Sequence, residues 1–147
     1  MIRELTTYED ILSATKVMKN FEQSSNHVKV DIEHSAQAYT KMVNSGISAF
    51  FSLEYDGVCF GGLGCIKAPD LHEGTLTAIE TFWFVLPEHR GKGILLFNAF
   101  EKWADKQGCK NKAMIHMADS FPETLSKFYK RKGYELAEYH FIKRGVK

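Results

Sequence analysis

The stretch Pro87-Glu88-His89-Arg90-Gly91-Lys92-Gly93-Ile94 sets two glycines at alternate positions among cations, after a strand-like run ending in Val85-Leu86 and before an amphipathic helical pattern. Glycines so spaced let a ligand lie against the main chain. The start of a helix turns unpaired N–H groups and the positive end of its dipole toward the same place, which suits a phosphate or pyrophosphate. Arg90 and Lys92 add side-chain charge, and no acidic residue follows Glu88 until Glu101. The plainer alternative is a strand-to-helix turn with a solvated basic edge. The turn is not a P-loop, because Ile94 and Leu95 stand where the closing hydroxyl belongs, and it lacks the third glycine of a dinucleotide fingerprint.

Two titratable residues flank this turn in sequence. Strand alternation would place Glu80 on one face with Ala78, Phe82 and Phe84. A carboxyl among aromatics has a raised pKa, which suits a general base near neutral pH, and a salt bridge or an exposed strand position is the competing reading. His116, in a short strand-like run, is a second candidate base or a core histidine. No metal is expected, since neither His-x-x-x-His nor Cys-x-x-Cys occurs and Cys59 and Cys65 share a strand without an imidazole nearby in sequence. Three cysteines cannot all pair within the chain, so reduced thiols are expected.

The elements that must hold these residues follow from hydrophobic period. Ile2 to Leu5 reads as a strand, and Thr6 with Glu9 has capping-box spacing ahead of a helix whose apolar face is Ile11, Ala14, Met18 and Phe21. Glu22 to His27 is a polar loop, and a second helix on Ile32, Ala36, Tyr39 and Val43 closes at Gly46. From Ile47 the period becomes two, with Ile47, Ala49, Phe51, Leu53 and Tyr55 expected inward and Ser48, Ser52 and Glu54 outward, a half-buried strand. Asp56-Gly57 is a hairpin signal, Val58 to Ile66 the return strand, Lys67 to Gly74 a loop, and Thr77 to Leu86 a third long strand.

A helix from about Lys92 buries Leu96, Ala99, Phe100, Trp103 and Ala104 and ends at Gly108. Ala113 to Met117 is a short strand. Ser120 and Glu123 form a second capping box for a helix with Phe121, Leu125 and Phe128 inward, and Tyr134 to Ile142 reads as a last strand with a break near Ala137-Glu138. The order is β-α-α-β-β-β-α-β-α-β, an α/β chain with a mixed sheet, expected as a single domain over residues 1–147. The helix after Leu86 is long enough for a parallel crossover, the kind of place where ligands bind.

A net charge of +1 gives no global pull toward DNA or an anionic bilayer, and the 44% apolar content excludes whole-chain disorder. No run approaches a membrane span and the amino terminus has no export signal, so no membrane partner and a cytoplasmic location are expected.

The segment Arg90-Gly91-Lys92-Gly93-Ile94-Leu95, after a strand ending Val85-Leu86-Pro87, resembles the acyl-CoA pyrophosphate loop of the GCN5-related N-acetyltransferase (GNAT) family, Arg/Gln-x-x-Gly-x-Gly/Ala. Phe128-Tyr129-Lys130-Arg131-Lys132-Gly133-Tyr134 is similar to that family's Phe-Tyr-x-x-x-Gly-Phe/Tyr, and the element order matches over the full length. The run from Glu80 to Gly93 also resembles small acetyltransferases of bacteriophages and bacteria, which would place the protein in host cytoplasm.

The resemblance implies an N-acetyltransferase in which acetyl-CoA donates to a primary amine of a small molecule or protein by direct attack in a ternary complex. It implies that Phe84, Val85 and Leu86 line the pantetheine arm. It further implies that Arg90, Gly91, Lys92, Gly93 and Ile94 hold the pyrophosphate. Tyr129 would be the general acid for the thiolate, with Glu80 or His116 as base. Ser25, Asn26 and His27 would border the acceptor, and edge strands of such folds can pair as homodimers. Leu95 where the motif has a small residue, and Pro122 where many relatives have Asn, allow a competing reading: a binding or inhibitory protein of the same fold, acting on a host or partner macromolecule with little catalysis.

Overall fold

Thr7, one residue after the expected cap, opens the first helix by accepting the Asp10 N–H on its side chain, and the capping box at Thr6 and Glu9 does not form. In the computed structural model, which describes residues 1–145, the elements are β1 (Ile2–Glu4), α1 (Tyr8–Met18), a 3-10 turn at Lys19–Gln23, α2 (Ile32–Asn44), β2 (Ser48–Tyr55), β3 (Val58–Pro69), β4 (Leu76–Val85), a 3-10 turn at Pro87–Lys92, α3 (Gly93–Lys106), β5 (Asn111–Ala113) and α4 (Pro122–Arg131). Asp31 caps α2 through the His34 N–H. Its aspartate lies directly before the apolar period begins, which is the usual N-cap pattern.

The contacts divide the chain into two compact units, one spanning Met1–Ile115 and one beginning at His116. In the first, five strands line up in the order β1-β2-β3-β4-β5, antiparallel except for the parallel pair β4 and β5, which α3 connects. The β2–β3 turn puts Asp56 and Gly57 at φ 51 and 76, the two left-handed residues a tight hairpin requires.

Both sheet faces are covered. Tyr39 of α2 meets Phe50 and Phe82 edge-on, and Phe21 packs on Phe84. On the opposite face Leu96, Phe100, Trp103 and Ala104 of α3 pack on Ala49, Phe51, Leu53, Leu63 and Val85. The expectation of a half-buried β2 is therefore corrected: Ser48 to Glu54 is buried on both sides, and Ile47 is exposed. The polar side chains on it are satisfied internally: the Ser48 hydroxyl donates to the Cys65 carbonyl, and Glu54 accepts from Ser52 and from two nitrogens of Arg3.

Two further corrections concern the second unit. Ser120 does not cap α4, whose N-cap is Phe121 in a left-handed conformation at φ 52 with its side chain exposed, and Tyr129 rather than Phe128 is the buried residue of that helix. The expected strand Tyr134 to Ile142 is absent, because residues 134–145 join no ladder. A strand exists only where a neighbour takes its N–H and C=O groups. Tyr139 and Phe141 are exposed instead. The short strand also shifts: β5 covers Asn111–Ala113, so His116 lies beyond it and not on a strand.

Candidate active site

Parallel pairing between β4 and β5 covers only Thr77 with Asn111, Ala78 with Lys112 and Ile79 with Ala113. Among the described residues, β4 from Glu80 onward has a strand neighbour on its β3 side only, where Phe82, Phe84 and Leu86 oppose Gly64, Gly62 and Phe60. The Leu86 N–H is taken by the Phe60 carbonyl. Because main-chain groups alternate sides along a strand, Trp83 and Val85 turn theirs to the open edge. Of the three pantetheine-lining residues expected, Val85 is thus the one whose main chain faces the opening, whereas Phe84 and Leu86 pair with β3.

The open edge runs into the glycine turn. Pro87–Lys92 forms a 3-10 turn and α3 starts at Gly93, whose N–H is held by the Arg90 carbonyl. The α3 start carries no side-chain cap and no acidic residue in its first turn, so it keeps its positive dipole end uncompensated. A Cβ on Gly93 would meet Val85 and Trp83 at 3.4–3.5 Å, ordinary van der Waals contact, so the packing of α3 on β4 does not itself demand a glycine there. A Cβ on Gly91 would meet nothing within 4 Å, and its φ is not in the left-handed region. Neither packing nor backbone strain accounts for Gly91, which leaves room for a ligand against the main chain.

The two cations of the turn are already engaged. The Arg90 guanidinium donates to the Val85 carbonyl and to the Ser24 hydroxyl, each at 3.4 Å. The Lys92 ammonium lies 4.2 Å over the Tyr55 ring at the hairpin tip, beside His89, whose ring lies 4.1 Å from that of Phe60 at a tilt of 43°. Leu95 is 39% exposed on the first turn of α3.

Glu80 is not where alternation put it. Cys65 opposes Glu80 and Gly64 opposes Phe82, so Thr81 is an extra residue in β4, a bulge. Cys65 belongs to the face under α3, whereas Phe82 contacts Phe50 and Tyr39 under α2. The expected sharing of a face with Phe82 and Phe84 is therefore corrected: Glu80 and Ala78 lie on the α3 side. The bulge is held by a hydrogen bond between the Tyr39 and Thr81 hydroxyls. It is admitted by Gly64, where a Cβ would come within 2.5 Å of Phe82 and 2.8 Å of the Thr81 hydroxyl. Glu80 is 4% exposed. Burial pushes its carboxyl up to about 8, a rise opposed by the hydrogen bond it accepts from the Ile115 N–H.

The loop between α1 and α2 is tied down by residues that sequence reasoning passed over. Glu22 accepts the Val30 N–H at 2.8 Å and the Lys19 ammonium at 2.9 Å, which hold its carboxyl below the usual range, and Lys19 also donates to the Val30 carbonyl. Within it the buried Ser25 hydroxyl accepts the His27 N–H, while Asn26 and His27 are exposed. Tyr129 and His116 belong to the second unit. There Tyr129 is 7% exposed, its ring sits 5.9 Å from those of Phe128 and Tyr134, and its carbonyl accepts the Tyr134 N–H. The Nδ1 atom of His116 is buried. Among the described residues no three acidic, histidine or cysteine side chains gather as a metal site, and no helix is long and apolar enough to cross a membrane.

The model of the acetyltransferase (GNAT) family matches residues 14–134, most of the chain and across both units. The chain belongs to the GNAT family. It is an acetyltransferase whose acyl donor is acetyl-CoA, and the bare turn at Gly91 with the uncapped α3 start fits the diphosphate of that donor. Solved structures share the fold at low identity. The ribosomal-protein-alanine N-acetyltransferase of Brucella melitensis biovar Abortus 2308 is 16% identical with a TM-score of 0.72, each chain covered over 99%. The aminoglycoside N-acetyltransferase AAC(6')-Iy in complex with CoA is 19% identical with a TM-score of 0.75, covering 99% of this chain and 93% of that one. The aminoglycoside 6'-N-acetyltransferase AAC(6')-IG of Acinetobacter haemolyticus is 13% identical with a TM-score of 0.74 over 100% and 99%. No curated protein matches this GNAT chain in sequence.

Proposed function

We propose that this GNAT protein acetylates a primary amine, borne by a small molecule or a protein, through direct attack in a ternary complex. The observation that carries the proposal is the open edge of β4 running into a turn where a Cβ added at Gly91 would meet nothing within 4 Å. Acetyl-CoA supplies an acyl group activated as a thioester. Val85 offers its main chain to the pantetheine arm, as a sheet edge does to an added strand. The N–H groups around Gly91 and Ile94 bind the diphosphate, with Arg90 and Lys92 released from Val85 and Tyr55 to neutralise it.

Main-chain N–H donors on the open edge stabilise charge on the carbonyl oxygen as the amine attacks. Tyr129 protonates the departing thiolate. The amine must arrive uncharged, and Glu80, titrating at about 8, accepts its proton through water, with His116 as the other candidate. Asn26 and His27, exposed on the clamped loop, border the acceptor, while Ser25 shapes the turn beneath them. A cytoplasmic site of action, in the host if the chain is phage-encoded, and a homodimer through the free sheet edges complete the proposal.

The test is CoA thiol release from acetyl-CoA by purified protein against a panel of amines, amino acids and peptides. Amine-dependent release is expected, with Tyr129→Phe slowed by about 10²-fold or more while still binding acetyl-CoA. Binding of acetyl-CoA with no release for any amine favours the non-catalytic reading, and absence of binding overturns the donor site.

A further inference from the structure

The two strands that bound the donor slot stop pairing at one place. The last ladder pair is Ile79 with Ala113, and regular parallel pairing would bring Thr81 level with Ile115. Instead the bulge at Thr81 begins there, and the Ile115 N–H is received by a side chain, the Glu80 carboxyl. The bulge carries Glu80 to the α3 face, where it is 4% exposed. Ile115 itself is 44% exposed, yet its N–H is turned to the Glu80 carboxyl, and an acceptor supplied by a side chain sits farther from β4 than a main-chain carbonyl does.

We infer that Glu80 is a positioning residue that holds the slot open: by taking the Ile115 N–H in place of a ladder bond, it fixes where and how far β5 leaves β4. The inference rests on the reading that the donor lies along the open edge of β4, and it assigns Glu80 a role separate from proton transfer. Three structural details support it. Thr81 is pinned by Tyr39, so the bulge has one register. Gly64 leaves the space that the bulge needs. The groups electrostatically coupled to Glu80 are the Tyr39 phenol on α2 and the Cys65 thiol on β3, each pushed up to about 12 by burial and thus uncharged near neutrality. No buried cation waits for a carboxylate there among these neighbours, and a neutral acceptor serves as well as an ionised one.

A neutral acceptor can position β5 but cannot take a proton from the amine. Glu80→Gln keeps an oxygen acceptor of the same reach and cannot act as a base, whereas Glu80→Leu keeps bulk and loses the acceptor. The experiment measures acetyl-CoA affinity by calorimetry, amide exchange at Ile115 by NMR, and kcat with KM once an amine is known. Glu80→Gln is expected to bind acetyl-CoA within about threefold of wild type with Ile115 still protected. Glu80→Leu is expected to lose at least tenfold in affinity with Ile115 exchanging freely. A drop in kcat for Glu80→Gln with affinity retained supports both the positioning role and the base. Wild-type affinity in a folded Glu80→Leu overturns the inference and leaves the donor reading standing. Should Glu80→Leu not fold, the amide decides: an Ile115 N–H that exchanges freely in the wild-type protein overturns the inference, and a protected one that is exposed in Glu80→Ala upholds it. A wild-type protein that takes up no acetyl-CoA removes the donor reading itself, whatever Ile115 does.

Discussion

Glu80 carries a consequence measurable without any ligand. Its pKa is 4.5 ordinarily and about 8 when folded, so between those values the folded protein holds a proton that the unfolded chain has lost. Stability is therefore fully present below about 4.5 and declines as pH rises through that window, until both states are ionised above 8. Glu22, Asp10 and Glu54 have the opposite sign, each lowered by hydrogen bonds or ion pairs, and their contribution is lost toward acid below the ordinary carboxylate range. Denaturation midpoints are expected to fall from pH 5 to pH 8 in wild type and to stay nearly flat over that range in Glu80→Gln. A Glu80→Gln profile that falls as steeply as wild type would place the titrating group elsewhere. Reading Glu80 as a residue with a raised pKa needed only its apolar neighbourhood in sequence. Which face it occupies depended on the extra residue at Thr81, and a bulge is set by what opposes it, here the bare Gly64 on another strand.

Among the elements, the β2–β3 hairpin and the glycine turn were the most legible, since both rest on local backbone chemistry. Asp56 and Gly57 adopt the left-handed pair the dipeptide announces. Gly57→Ala is expected to cost about 1 kcal/mol, because φ near +76 is strained for any residue with a Cβ, and to lower the melting temperature by about 3 °C. A melting temperature unchanged by that substitution would contradict the turn geometry. Helix starts were legible to within a residue: Thr7 replaces Thr6 as cap, and α3 begins at Gly93 after a 3-10 turn that no periodicity signals, whereas α1 stops at Met18 and leaves Phe21 in a 3-10 turn. The last strand failed for a different reason. Tyr134 to Ile142 has strand-forming residues, yet extended segments pair only with a neighbour at long range, and sequence period says nothing about whether one is there.

For the molecule as a whole, length and composition led to the expectation of one domain, and the family match across residues 14–134 spans both compact units. Scanning calorimetry of the full chain is expected to give a single transition with equal calorimetric and van't Hoff enthalpies. Acetyl-CoA at a hundredfold excess over its dissociation constant should stabilise the fold by about 2.7 kcal/mol, raising the transition by roughly 5 to 10 °C. Two separated transitions, only one of them moved by ligand, would show that the units unfold independently.

What the amino-acid sequence determined alone was the succession of elements from β1 to α4, the hairpin, and a glycine turn ahead of α3. Each is written in residues adjacent along the chain, where hydrophobic period, capping side chains and bare glycines act within one or two turns. Tertiary structure decided the face of Glu80, the engagement of Arg90 and Lys92, the clamp of Glu22 on Val30, and the point where β5 leaves β4. Those depend on atoms that meet only after distant segments pack, and the free energy of such meetings is not encoded at any single position.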